Sequence, residues 1–437
     1  MTVHVLGVCG TLMGGVACLA VEKGYDVIGY DVSFIPPMST VLEGKNITII
    51  SEYPNIIELK NLDMVIVGNQ LRRGHPLIQW LIKKRVKLYS APEWLLEFVL
   101  RDRKVIAVTG SHGKTTITTM ISWVLEQCGQ QPGYLIGGVS SQLGGCSALG
   151  KGPYFVIEAD EYDSAFFDKR PKFIHYWPTM LIISNIEYDH ADIYPDISSI
   201  ITQFGYLLRL LPSQSSVIST NITSGLEDMI ESFGLEHLQY GGNCGKYGTN
   251  LLNNVVLKMP GKFNQENALA AYLAVKAIGI DEKDIKKALS LCKGPARRQM
   301  VKYQNQGVVA YDDFAHHPSE LLQVVKTFQP KGRLMVLYNP ATYTQRQGLM
   351  DDKVIDILNK VDKSVILLPK KHNLHLEAYR KAGIILCEDE RACALVFLNH
   401  VEDDTQIIVT SAYYLEIFWT NLLHGLKAME VSSKISD

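Results

Sequence analysis

Val105-Ile106-Ala107-Val108-Thr109-Gly110-Ser111-His112-Gly113-Lys114-Thr115-Thr116 decides the reading of this chain. An apolar β-like run enters a Gly-rich turn, and the turn enters a helical pattern marked by Ile117, Met120, Ile121, Val124 and Leu125. Glycines let backbone N–H groups close around an anion, and the N-terminus of the next helix adds partial positive charge. Gly110, Ser111, His112, Gly113, Lys114, Thr115 and Thr116 therefore read as a phosphate cradle. Lys114 reaches the β/γ-phosphates and the Thr115 hydroxyl holds Mg²⁺ in such a loop. The usual pattern places its first Gly where Val108 stands, and the alternative is a plain strand-to-helix turn with a surface lysine. The strand before, the helix after and the Lys-Thr pair favour nucleotide binding.

Outward from the loop, two more apolar runs end in acids. Tyr154–Ile157 leads into Glu158-Ala159-Asp160-Glu161-Tyr162-Asp163, and Met180–Asn185 leads into Ile186-Glu187-Tyr188-Asp189-His190-Ala191-Asp192. Four carboxylates in six residues repel one another unless a cation or hydrogen bonds relieve them. An acidic exposed turn is the alternative, and His190 taken alone reads more often as a structural hydrogen-bonder. Two parallel strands ending in such groups beside a Lys-Thr loop suggest a metal–phosphate site.

The N-terminus repeats the theme. Val3–Leu6, a Gly7-to-Gly15 turn, a helix through Val21, and Tyr25–Asp31 make a β-α-β opening with an acid at the end of its second strand. Cys9 stands where a dinucleotide fingerprint needs Gly, so a diphosphate other than NAD is the better fit. Gly68–Pro76 is a polar loop after a strand, the place where open α/β sheets bind ligands. Its Arg72 and Arg73 are either anion contacts or a solvated pair.

Composition sets limits. The 437 residues are 47% apolar and 20% charged with net charge −2, an ordinary globular balance that gives no field for nucleic acid. Val3–Leu6 runs straight into the glycine turn, so no signal peptide is expected, and no apolar run approaches a bilayer span. Eight cysteines without C-x-x-C spacing fit reduced cytoplasmic thiols. The polar tail after Lys427 is expected to fray.

Taken together, the segments 109–116, 158–163 and 185–192 resemble the three central motifs of the Mur ligases, ATP-dependent amide-forming enzymes of peptidoglycan synthesis. The opening Gly7–Gly15 is similar to the family's UDP-binding start. Pro36–Thr40, Gly68–Pro76, Glu158–Arg170 and Asp189–Asp196 point to the branch that returns a murein tripeptide to UDP-N-acetylmuramate.

The resemblance implies three α/β domains. These are a Rossmann-like UDP-sugar domain (1–100), a central P-loop ATPase domain (101–293) and a C-terminal Rossmann-like ligase domain (294–437). It implies Lys114, Glu158 and His190 as catalytic residues, with Thr115, Glu158 and His190 as Mg²⁺ ligands. Gly7, Gly10, Thr11, Met13, Gly14, Asp31, Asn69 and His75 would bind the UDP-sugar. ATP would meet the loop, Asn264 and Asn267, and Arg298, Asp313 and His316, with Arg297 also near phosphate or substrate. The amides of Asn264 and Asn267 suit an adenine edge, while Asn264 suits a helix cap equally. Several Mur ligases carry a carbamylated lysine after the Asp-His motif. Here no lysine stands between Lys172 and Lys246. The implied partners are UDP-N-acetylmuramate and the tripeptide, with a cytoplasmic monomer and no nucleic acid or membrane span. The alternatives are the L-alanine-adding ligase, a P-loop switch that only hydrolyses ATP, and an inactive nucleotide-sugar binder.

Overall fold

The computed structural model describes residues 1–53, 62–188, 193–241, 246–305 and 307–436. Three mostly parallel sheets follow one another along the chain. β1 (Thr2–Leu6), β2 (Asp26–Tyr30), β3 (Ile47–Ile50), β4 (Met64–Val67) and β5 (Leu88–Ser90) form the first, all parallel, in the order β3-β2-β1-β4-β5. The order reverses beside β1, and the turn after β1 opens at that switch point.

The second sheet holds β6 (Lys104–Thr109), β7 (Gly133–Ser140), β8 (Gly145–Ala148), β9 (Tyr154–Glu158), β12 (Met180–Ile183), β13 (Ser216–Ser219) and β14 (Glu236–Gln239). A separate hairpin, β10 (Asp163–Ala165) with β11 (Asp168–Pro171), follows β9. The sheet order is β14-β13-β12-β6-β9-β7-β8, and only the β7–β8 pair is antiparallel. β6 therefore lies between β12 and β9, and all three run parallel. Strands buried on both faces read as unbroken apolar runs, and Val105–Val108, Phe155–Ile157 and Met180–Ile183 are all buried.

The first two sheets share one hydrophobic core. The first helix (Thr11–Glu22) presents Val16 and Leu19 to a cluster that also holds Leu135 of β7 and Phe155 of β9. Each such side chain, buried to 2% exposure or less, contributes roughly 1.5–3 kcal/mol. Polar ties follow the same seam: Ser147 Oγ donates to the Gly15 carbonyl at 3.1 Å, and Leu149 N–H donates to Glu22 Oε2 at 2.7 Å.

By contact density the chain divides into two compact units. The first is Met1–Lys258 with Asn264–Ala296; the second is Met259–Phe263 with Arg297–Asp437. The first two sheets thus lie in one unit.

The second unit carries β15 (Met300–Asn305), β16 (Val308–Asp313), β17 (Arg333–Asn339), β18 (Lys363–Leu367), β19 (Ile385–Cys387) and β20 (Thr405–Ser411), in the order β15-β16-β20-β17-β18-β19. Along β17, Met335 and Leu337 enter one core and Leu334, Val336 and Tyr338 the other, the period-two signature of a sheet covered on both faces.

The α/β architecture is the one the strand–helix alternation predicts. One expectation fails. The last helix runs Glu416–Ser436, well past Lys427, because Trp419, Leu422 and Leu426 anchor its apolar face and the backbone continues from that anchor. Among the described residues no helix is long and apolar enough to cross a membrane.

Candidate active site

The central strand β6 ends at Thr109, and four residues separate it from the helix Lys114–Gln127. Two glycines make the turn possible. Gly110 has φ +121, and a Cβ there would lie 2.4 Å from Ser184 Oγ. Gly113 has φ +84, and its Cβ would lie 2.7 Å from Asn267 Oδ1. Neither position admits a side chain without strain.

The end of β12 grips the turn from one side. Asn185 accepts the Ser111 N–H on its carbonyl (3.1 Å) and the His112 N–H on its Oδ1 (2.9 Å). Ser184 Oγ donates to the His112 carbonyl, and Ser111 Oγ accepts the Glu187 N–H at 2.8 Å. Asn185 is thus a loop-positioning residue; the sequence places it at the end of an apolar run and the start of the 185–192 motif without showing that contact.

The end of β9 closes the other side. Thr115 Oγ1 donates to Glu158 Oε1 at 3.1 Å, and Gly137 N–H donates to Glu158 Oε2 at 2.7 Å. Burial pushes the Glu158 carboxyl up, with neighbouring Asp160 adding to the rise, while Lys114 and these hydrogen bonds hold it back. A half-buried carboxylate with a hydroxyl on one of its oxygens is a hard-oxygen donor set of the kind that suits Mg²⁺. Thr115 and Glu158 therefore fit the ion. Asp189, His190 and Asp192 lie outside the described residues.

Lys114 Nζ donates to the Gly110 carbonyl at 2.8 Å and to Glu161 Oε2 at 3.0 Å, and lies 3.7 Å from Asp160 Oδ1. Burial works against its charge, but Glu161, Asp160 and Glu158 outweigh that and raise its pKa, so it is a permanent cation. Glu161 is fixed in turn, since Tyr194 Oη donates to its carbonyl. The pairing of Lys114 with Glu161 was hidden among four neighbouring acids.

Behind the loop, Asn267 Nδ2 donates to Asn264 Oδ1 at 3.3 Å. The helix carrying both begins at Lys262, so Asn264 lies inside its first turn and is not its cap.

At the first sheet, Gly10 N–H donates to the Gly7 carbonyl at 3.2 Å and Thr11 opens the helix, leaving a helix N-terminus for an anion. Asp31 is buried, and its carboxylate accepts the N–H groups of Cys9 (2.9 Å) and Ser33 (3.2 Å). It shapes the turn from within. Met13 and Gly14 are buried as packing residues. Asn69 Nδ2 donates to the Asp163 carbonyl at 2.7 Å, tying the loop after β4 to the acidic turn. His75 caps the helix Pro76–Lys83.

In the second unit, Asp313 accepts the N–H groups of Gln299 (2.9 Å) and Ala315 (2.6 Å), and Arg298 donates to Glu320 Oε1 at 3.1 Å. His316 Nδ1 lies 3.0 Å from the Phe314 carbonyl. Arg297 is spent structurally. Its guanidinium donates to Asp312 (3.1 Å) and to the carbonyls of Ser411 (2.7 Å) and Tyr413 (2.9 Å).

Residues 108–275 match the Mur ligase middle domain, and residues 2–103 match the Mur ligase family catalytic domain. The UDP-N-acetylmuramate–L-alanyl-γ-D-glutamyl-meso-2,6-diaminoheptandioate ligase of Haemophilus influenzae is 38% identical over 390 residues, 84% of this chain and 86% of that protein.

The chain belongs to the Mur ligase family.

The crystal structure of a murein peptide ligase from Psychrobacter arcticus superposes on this Mur ligase with TM-score 0.74 and 32% identity, covering 98% of both chains. The UDP-N-acetylmuramate–L-alanine ligase of Clostridium tetani is 30% identical over 80% of this Mur ligase and 79% of its own length.

Proposed function

We propose that this Mur ligase joins the tripeptide L-alanyl-γ-D-glutamyl-meso-diaminopimelate to UDP-N-acetylmuramate, with ATP cleaved to ADP and phosphate, in peptidoglycan recycling. The observation that carries the reaction class is the meeting of Lys114, Thr115 and Glu158 at the ends of adjacent strands β6 and β9. Higher identity to the tripeptide ligase (38%) than to the L-alanine ligase (30%) supports the choice of amine. Its substrates are nucleotide-linked, which supports the cytoplasm as its place of work.

ATP is a substrate. The Gly113 turn and the helix N-terminus at Lys114 hold its phosphates, with the Ser111 and His112 N–H groups kept on Asn185 and Lys114 trading Glu161 for phosphate oxygens. Thr115 and Glu158 would hold one Mg²⁺ and His190 a second, and such ions would supply positive charge to offset that of the phosphates. A carboxylate oxygen of the muramate lactyl group attacks the γ-phosphorus, the bond to the bridging oxygen breaks, and ADP leaves. The tripeptide amine then attacks the acyl carbon, losing a proton as phosphate departs. The protein contributes positioning and charge stabilisation, and exclusion of water protects the acyl phosphate. Gly7, Gly10 and Thr11 receive the UDP diphosphate. Asn264 and Asn267 face adenine, and Arg298, Asp313 and His316 serve the nucleotide from the third domain.

Phosphate release with ATP and UDP-N-acetylmuramate tests this. The tripeptide is expected to drive turnover, with L-alanine giving little. Equal or better turnover with L-alanine would reassign the substrate, and ATP hydrolysis indifferent to UDP-N-acetylmuramate would make the protein an ATPase.

A further inference from the structure

Lys172 is 5% exposed, an unusual burial for a lysine, and the roles above do not use it. Its ammonium donates to Asp160 Oδ2 at 2.9 Å and sits 3.8 Å from the centre of the Tyr162 ring. The backbone fixes it there: Lys172 N–H donates to the Tyr162 carbonyl at 3.1 Å, and Phe173 N–H to the Asp160 carbonyl at 3.3 Å. The other oxygen of the same carboxylate, Asp160 Oδ1, is 3.7 Å from Lys114 Nζ. Asp160 is therefore shared by two ammonium groups, the buried one of Lys172 and the half-buried one of the phosphate-loop lysine. Within this cluster Lys114 and Lys172 are divided among Glu158, Asp160 and Glu161.

The consequence follows from charge. Lys114 must leave Glu161 to meet a phosphate. With Lys172 in place, Asp160 already has a cation, and Lys114 gives up one strong partner. Without it, Lys114 is the one ammonium among the described residues that faces these three carboxylates, and an incoming polyanion meets more net negative charge at close range.

We propose that Lys172 is a positioning residue of the nucleotide site: by holding Asp160 it frees Lys114 for phosphate and so sets the affinity for a magnesium nucleotide. This rests on the reading of residues 110–116 as a nucleotide loop. Lys172 touches no substrate. It acts through Asp160 and Lys114.

The test is calorimetric titration of MgADP into the full-length protein, at a temperature where every variant is folded, with UDP-N-acetylmuramate titrated in parallel. Lys172→Met is expected to weaken MgADP on the order of tenfold, a typical coupling between linked groups, and to leave UDP-N-acetylmuramate affinity unchanged. Lys172→Arg keeps the charge and is expected to stay near wild type. The double variant Lys172→Met/Asp160→Asn removes both charges and is expected to regain most of the lost affinity. It also carries the test if the single variant does not fold. Wild-type MgADP affinity in Lys172→Met overturns the proposal, as does a double variant that binds as weakly as the single one. Equal weakening of both ligands would mean a general structural role and overturns it too. If the wild-type protein itself ignores MgADP, the nucleotide reading fails first and takes this inference with it.

Discussion

The Thr115 hydroxyl donates to Glu158 Oε1 across 3.1 Å, joining the first turn of the loop helix to the end of β9. Glu158 is held on its other oxygen by the Gly137 N–H, so neither residue has to reorganise to meet an ion. Glu158→Gln keeps the shape and removes the charge. The half-saturating Mg²⁺ concentration is expected to rise by about tenfold or more. A Mg²⁺ titration that matches wild type would remove Glu158 from the metal.

Lys114 and the glycine turn after β1 belong to different sheets of the first unit. Lys114→Ala is therefore expected to lower the ligation rate by about a hundredfold or more, the cost of losing one charged donor at a transition state. UDP-N-acetylmuramate affinity, read by calorimetry, should hold. A collapse of that affinity would contradict separate sites.

Arg297 has φ +57 and spends its guanidinium on Asp312 and the carbonyls that follow β20. Its expected effect is on stability. Arg297→Ala should cost about 3 kcal/mol by denaturant unfolding, since it strands a buried carboxylate and exposed carbonyl ends. Arg297→Lys should recover little, because one ammonium cannot replace a planar fork. Full stability with lost activity would return Arg297 to the substrate.

Asp313 gives a pH signature. Burial pushes its carboxyl up to about 6, against the pull of Arg298 and two backbone N–H groups. The folded chain thus keeps a proton that the unfolded chain has lost. This contribution is full below the ordinary carboxylate pKa near 4 and is lost as pH rises through about 6. Wild type is expected to lose roughly 2–3 kcal/mol over that window relative to Asp313→Asn. Parallel stability profiles for the two proteins would show that Asp313 titrates normally.

The legible parts of this fold were those that burial dictates. β6, β9 and β12 read clearly because a parallel strand covered on both faces leaves an unbroken apolar run, and the polar residue that stops it marks the ligand end. The loop glycines were legible because few other residues tolerate that backbone. What stayed hidden was pairing. Glu161 and Lys172 are 47 and 58 positions from Lys114, and no local pattern says which of four acids each lysine takes. Asp31 reads in the sequence as a UDP-sugar contact, and what the sequence does not show is that its carboxylate accepts the N–H groups of Cys9 and Ser33. Arg297 and Arg298 are adjacent and alike in sequence, yet Arg297, at positive φ, donates to the carbonyls at the end of β20 while Arg298 donates to Glu320.

The central claim is that a carboxylate oxygen of UDP-N-acetylmuramate attacks ATP at the Lys114 loop. The direct measurement is mass analysis of the phosphate released when that carboxylate carries ¹⁸O and ATP and tripeptide are present. One labelled oxygen in each phosphate is the predicted result, appearing in step with amide formation. Unlabelled phosphate would mean that water is the attacking group, and the ligase account would fail.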